Sequence, residues 1–360
     1  MSRNRWARRT VNVLGVLTLA SGLLAGCGDD DDSGGTAAST TATTASTTTE
    51  APTTTAATST GIEIGAGLND PEDSTIAVLQ FIPAKVTVPV DTPVTWQWSG
   101  SEPHSVTFLA PGEELPPPGS DPTWFAPKPS TGDYDGSTTV SSGLQPLGTP
   151  AEPFTLSFAE EGTFEYYCVI HPQMIGTLDV VPAGEQGDTP ADIASQGETE
   201  AAEWLAEGRA AKKALTDAEV TSTPNGDGSS TFQIQMGAST PNTDVLAFQP
   251  VPAEVAAGDS VTFVNNSTAP HTASFFGAGS TPIQNPTDPR VGAPAPGPSP
   301  QDLSASGFFN TGLLPPDAPP GAGPPESARS FTFKVPSAGT FAYVCILHAP
   351  SNMVGTIVAT

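Results

Sequence analysis

Between Lys85 and Cys168 the chain runs through short stretches in which apolar and polar side chains alternate: KVTV, PVTWQW, SVTF, FTLSF and TFEYYC. A period of two turns one face of an extended segment toward a core and the other toward water, so these stretches predict half-buried β-strands. Gly and Pro separate them and supply the turns. A different period governs GETEAAEWLAEGRAAKKALTDAE, where Trp204, Ala211 and Leu215 fall at helical spacing and predict a helix over 198–216, with Trp204 as a packing residue. A third pattern lies at the start. The apolar run VNVLGVLTLASGLL follows the basic MSRNRWARRT and is too short to span a membrane permanently, so residues 1–26 are predicted to be an export leader outside the fold.

The strand pattern occurs twice. IEIGAG (Ile62–Gly67) matches IQMGAS (Ile234–Ser239), and the segment from Phe81 to His104 matches that from Phe248 to His271 without a gap. FTLSFAEEGTFEYYCVIH then matches FTFKVPSAGTFAYVCILH, and MIGT and MVGT close the copies. Self-similarity of this order means one domain present twice. The prediction is an all-β chain with a domain at 61–182, a linker with a short helix at 183–218, and a second domain at 219–360. Each domain reads as a Greek-key β-sandwich of short antiparallel strands. NGDG (Asn225–Gly228) predicts a hairpin turn entering the second copy. The Pro- and Gly-rich stretches at roughly 109–150 and 276–328 read as long surface loops.

Composition adds a strongly acidic surface. There are 12 Lys and Arg against 38 Asp and Glu, a formal net charge of −26. Loss of the leader would remove Arg3, Arg5, Arg8 and Arg9 and no acid. Such a surface repels nucleic acid and anionic lipid and favours basic protein partners. The leader ends in LAGC (Leu24–Cys27), which resembles a bacterial lipoprotein signal. That resemblance implies cleavage before Cys27, lipid attachment to its thiol, and an extracytoplasmic protein anchored to the cell membrane. Residues 27–60, with Asp29–Asp32 and then mostly Thr, Ala, Ser and Gly, cannot bury a core and read as a disordered tether.

The chemistry is concentrated in very few residues. The four histidines are His104, His171, His271 and His348, and two cysteines remain beyond Cys27, in CVIHPQM and CILHAPSNM. Each copy therefore has one upstream His, then Cys-x2-His, then a Met: His104, Cys168, His171 and Met174, and His271, Cys345, His348 and Met353. Met236 is a core residue, because Ile64 stands in its place in the other copy. Cys168 and Cys345 can in principle form a disulfide, but their matching local neighbours argue for two like sites. Two imidazoles, a thiolate and a weakly held thioether suit copper, whereas zinc favours a fourth strong ligand.

Each copy resembles the cupredoxins, the plastocyanin and amicyanin group in particular. PHSVTF and PHTASF are similar to that group's first-ligand strand, and GTFEYYCVIHPQMIGT and GTFAYVCILHAPSNMVGT to its ligand loop. The resemblance implies two type 1 (blue) copper sites, with His104, Cys168, His171 and Met174 on one metal and His271, Cys345, His348 and Met353 on the other. It also implies electron passage through the exposed edge of the loop histidines, His171 and His348. Two residues separate His171 from Met174, as in amicyanins, and four separate His348 from Met353, as in plastocyanins. Ser105 and Thr272 stand where plastocyanins carry an Asn that ties the ligand loops together, and their hydroxyls can make a shorter bond of the same kind. Tyr167 precedes the first Cys, but Val344 precedes the second.

The expected function is a membrane-tethered electron carrier with two coppers, exchanging electrons with basic redox protein partners and turning over no small-molecule substrate. A multicopper enzyme needs further histidines, and all four are already assigned. A copper-delivery or buffering protein can use the same ligands, although the Met-rich and His-rich tracts common in such proteins are absent. The leader reading is tested by Cys27→Ser, which should move the protein from the membrane fraction to the soluble fraction. Continued membrane partitioning would place the anchor elsewhere.

Overall fold

The computed structural model describes residues 61–130, 132–146, 150–279, 299–317, 321 and 323–360. The leader, Cys27 and the tether lie outside the described residues, as does part of the second long loop. The described chain is strand-rich with one long helix, as the alternation predicts.

Each copy folds as two facing sheets. In the first, one sheet is made, in spatial order, of Lys85–Pro89, Ile175–Val181, Gly162–Tyr167, Thr107–Phe108 and Val140–Ser141. The second copy repeats it with Ala253–Val255, Val354–Ala359, Gly339–Val344, Ser274–Phe276 and Phe308–Asn310. The expectation of antiparallel strands holds for most pairs but not for all. Ile62–Asn69 runs parallel to Val94–Ser99, and Lys85–Pro89 parallel to Ile175–Val181. The chain crosses between the sheets before it returns, and such a crossing brings neighbours back in the same direction.

The facing sheets of the two copies are one sheet. Its order runs Gln301–Asp302, Ser330–Lys334, Ser260–Asn265, Ser230–Ser239, Thr243–Gln249, Ile76–Ile82, Ile62–Asn69, Val94–Ser99 and Phe154–Leu156, with Ser222–Pro224 beside Ser230–Ser239. The join is antiparallel, pairing Val78 with Thr243, Ala77 with Asp244 and Ile76 with Val245. Main-chain bonds from Leu79 N to Asn242 O (2.8 Å) and from Leu246 N to Thr75 O (2.7 Å) extend it. Ala77 and Leu79 of the first copy pack into the core of the second.

Both cores are built on aromatic side chains at matching places. Trp96, Phe81, Phe108 and Tyr166 are essentially inaccessible in the first, as is Phe263 in the second, where Phe248, Phe275 and Tyr343 surround it. Tilted and edge-on ring contacts, such as Trp96 on Tyr166 at 5.2 Å and Phe263 on Tyr343 at 5.0 Å, add specific geometry to the area buried. The first long loop is less free than predicted: it contributes Val140–Ser141 to a sheet and buries Tyr134. NGDG does turn a hairpin, closed by Asn225 N to Ser229 O at 2.9 Å.

The helix spans Pro190–Asp217 and so begins eight residues before the predicted 198. Its start is set by polar chemistry that apolar spacing does not reveal. Thr189 caps it, Pro190 opens the first turn, and Asp192 returns the reciprocal bond of a capping box. Ile193, Gly197, Gly208 and Leu215 are its buried residues, while Trp204 is half-buried. The helix grips both copies. Arg209 makes paired bonds to the buried Asp70 at 2.6 and 2.9 Å, and Glu207 accepts from Asn242 at 3.0 Å.

Gly208 allows the close approach. A Cβ there would lie 2.4 Å from Cγ2 of Ile76, at the strand that joins the copies. Gly208→Ala gains about 0.8–1.0 kcal/mol of helix propensity, but the overpacking costs about 1–3 kcal/mol, so net destabilisation is expected in urea unfolding.

Candidate metal centres

The ligand loops are closed by main-chain hydrogen bonds before any side chain is considered. Cys168 N donates to Met174 O (3.1 Å) and Met174 N to His171 O (2.9 Å). The second loop makes the same closures, Cys345 N to Met353 O (3.0 Å) and Met353 N to His348 O (3.2 Å). The upstream histidines are held by bridges to the long loops, His104 with Gln145 and His271 with Leu314. Local folding thus delivers the Cys, both His and the Met of each copy to one end of its sandwich.

The side chains converge as the sequence pattern requires. In the first copy the Nδ1 atoms of His104 and His171 are 3.0 Å apart, and Sγ of Cys168 lies 3.9 and 3.5 Å from them. In the second, His271 and His348 are 3.0 Å apart, with Sγ of Cys345 at 3.8 and 3.3 Å. The point equidistant from three donors so spaced lies about 2 Å from each, a bond length suited to a first-row metal on imidazole nitrogen or thiolate. Met174 and Met353 are completely buried. No disulfide links Cys168 and Cys345; both are free and buried.

Electrostatics favour the ligand forms of these groups. Burial alone would raise the Cys168 thiol, but His171 and the hydrogen bonds from both imidazoles outweigh it, and the thiol falls well below its ordinary range. Cys345 is lowered in the same way by His348 and His271. A thiolate is the form that binds metal. Each sulfur also accepts a main-chain N–H, from Ser105 or Thr272, at 3.4 Å.

Ser105 and Thr272 do tie the ligand loops. The Ser105 hydroxyl accepts from Val169 N and the Thr272 hydroxyl from Ile346 N, each at 3.0 Å. Tyr167, the aromatic neighbour of Cys168, donates its hydroxyl to Glu165 at 2.8 Å. Burial and that carboxylate push its pKa up to about 12.

One expectation changes. His171 is partly exposed, but His348 is only 4% exposed and has no open edge of its own. Its Nε2 lies 3.2 Å from Oε2 of Glu102, a carboxylate of the first copy. Burial would raise the Glu102 pKa, yet His348 beside it holds it down at about 2, and His171 and His104 contribute in the same direction. In turn His348 is raised well above its usual value: burial opposes this, and Glu102 and Cys345 prevail. Glu102 is not legible as a site residue in the sequence. Its only signal is its place two residues before His104, which says nothing of the other copy.

Comparison with known protein families and with curated proteins gives no match. Among solved structures the chain is similar to several, at low identity. A mutant plastocyanin of fern matches at 22% identity over 36% of this chain and 99% of that one, with a TM-score of 0.22. A purple cupredoxin from Nitrosopumilus maritimus matches at 22% identity over 33% and 99%, with a TM-score of 0.21. The reduced state of an amicyanin variant matches at 20% identity over 34% and 82%, with a TM-score of 0.22. At this level of similarity the reading of the sites rests on their own geometry.

Gly67 is where that geometry is easiest to test. Its φ is +73°, and a Cβ there would stand 2.2 Å from Nε2 of His104. Gly67→Ala should cost about 1–3 kcal/mol in urea unfolding and weaken metal retention at the first site alone. Gly65→Ala, whose Cβ would meet only Ile82 at 3.4 Å, should cost less.

Proposed function

We propose that the chain is an electron-transfer protein with two copper sites of the type 1 kind, one per copy. Cupredoxin-like ligation assigns His104, Cys168, His171 and Met174 to one copper and His271, Cys345, His348 and Met353 to the other. The observation that carries this reading is the pair of inward-facing His–Cys–His triads, each with a buried Met in the same closed loop. Copper in such a site supplies a one-electron couple, and the thiolate with two imidazoles accommodates both oxidation states. The protein's part is to hold the donors so that neither state demands rearrangement. Ser105 and Thr272 fix one loop on the other, and the positive-φ glycines Gly67 and Gly237 let the backbone pass against His104 and His271.

Burial favours electron transfer over delivery. Cys168 is 1% exposed and Cys345 is inaccessible, so a chelator or a receiving protein has no thiolate to compete for. The acidic chain favours basic redox protein partners. With lipid on Cys27, the two sandwiches would work outside the cytoplasm on a tether at the cell membrane.

Two coppers per chain are expected, each with an intense thiolate-to-metal absorption in the oxidised state. Cys168→Ser and Cys345→Ser should each abolish one band and about half of the bound copper. Both metals should survive repeated oxidation and reduction under dialysis. One copper in the wild-type chain, or a Cys168–Cys345 disulfide in mass spectrometry, would defeat the proposal.

A further inference from the structure

The two copies meet about a local two-fold relation. Ala77 lies opposite Asp244 in the strand pair that joins them. These two residues occupy the same place in the repeat, each four before the matching Phe81 and Phe248. A two-fold contact presents the same surface of each partner to the other. Here the chemistry on the two sides of it differs.

On the side of the second site the contact is filled. Glu102 of the first copy reaches Nε2 of His348, and its other oxygen accepts from the Ser351 hydroxyl at 3.3 Å. Ser351 is completely buried and also meets the Ser101 hydroxyl at 2.5 Å, while its carbonyl accepts from Ser74 at 3.4 Å. Ser351 lies in the longer His-to-Met interval of the second loop, so the added length supplies a residue that makes the docking contact. On the side of the first site the place of Glu102 is taken by Ala269, which likewise precedes Pro and the ligand His. Alanine has no carboxylate to offer His171, and His171 remains partly exposed.

We propose that the two sites work in series: the first, through His171, meets external redox proteins, and the second exchanges electrons with the first inside the chain by way of Glu102. The proposal rests on the reading of both sites as copper centres. The route crosses one hydrogen bond, from Nε2 of His348 to Glu102, and then follows covalent bonds through Pro103 to His104. One electron leaves one site as the other accepts it, and no bond is made or broken. External one-electron redox proteins supply and remove the electrons. Glu102 is a positioning residue in this scheme. By accepting from Nε2 it fixes the His348 ring with Nδ1 turned to the metal position, the arrangement by which an outer carboxylate orients a metal-binding imidazole.

Glu102→Ala tests this, because it gives the first copy the residue that the second already carries at that place. In the metal-free full-length chain, diethyl pyrocarbonate should acylate His171 well ahead of His348, read by peptide mass spectrometry. Glu102→Ala should speed labelling of His348 by about ten-fold, the effect of losing a hydrogen bond to a charged group, and change that of His171, which Glu102 does not touch directly, far less. In the copper-loaded chain, reduction by a flash of substoichiometric photoreductant should be followed by a first-order exchange between the two absorption bands, independent of protein concentration. That exchange should slow by about ten-fold or more in Glu102→Ala. Equal labelling of His171 and His348 in the wild type, or an exchange rate that rises with protein concentration or ignores the substitution, would overturn the series arrangement. A wild-type chain without two copper bands would instead defeat the copper reading, and the labelling would still report whether Glu102 seals His348.

Discussion

Three residue pairs, Ile76–Val245, Ala77–Asp244 and Val78–Thr243, hold the architecture together. A sandwich with an open edge strand exposes a row of unpaired N–H and C=O groups, a standing invitation to aggregation. Here the edge of each copy satisfies the edge of the other. The helix lies against that seam because Gly208 lets it approach Ile76, and Arg209 and Glu207 fasten it to turns on either side. With the seam fixed, the loop carrying Glu102 is fixed over the second ligand loop. The position of one carboxylate is thus decided by a sheet pairing some distance from it.

The sites themselves show opposing electrostatic demands resolved by proximity. Burial disfavours every charge, yet each thiol is driven toward thiolate because two imidazoles stand within 4 Å of it. The same crowding lowers His104, where burial dominates, and raises His171, where the thiolate and the carboxylates Glu102 and Asp244 outweigh burial. A cation at the centre of each triad would relieve the crowding.

Much of this was legible in the chain. The repeat, the strand pattern and the His, Cys and Met groups are local signals, because the ligand loop is a short run whose closing bonds join residues three to eight apart. The loop-tying role of Ser105 and Thr272 was legible for the same reason. What escaped was long-range or polar. Thr189 and Asp192 start the helix through side-chain hydrogen bonds, so apolar spacing alone begins it too late. The parallel pairs depend on where the chain crosses between sheets. Glu102 acts on a histidine nearly 250 residues away, and no spacing within one copy can announce it. The difference in loop length was visible, but its use lies in long-range contacts of Ser351 with Glu102 and Ser101.

The opposition of Ala77 and Asp244 has a consequence for symmetry. If two separate, identical chains met through this strand edge, every surface feature would be present twice. Both sites would be capped by a glutamate, or both would be left open. Joining the copies in one polypeptide lifts that restriction, since Glu102 and Ala269 can differ without either partner being wrong for the other. The covalent link therefore does more than keep two sandwiches together: it makes direction possible, an outer station and an inner one, in a contact whose geometry alone would make them interchangeable.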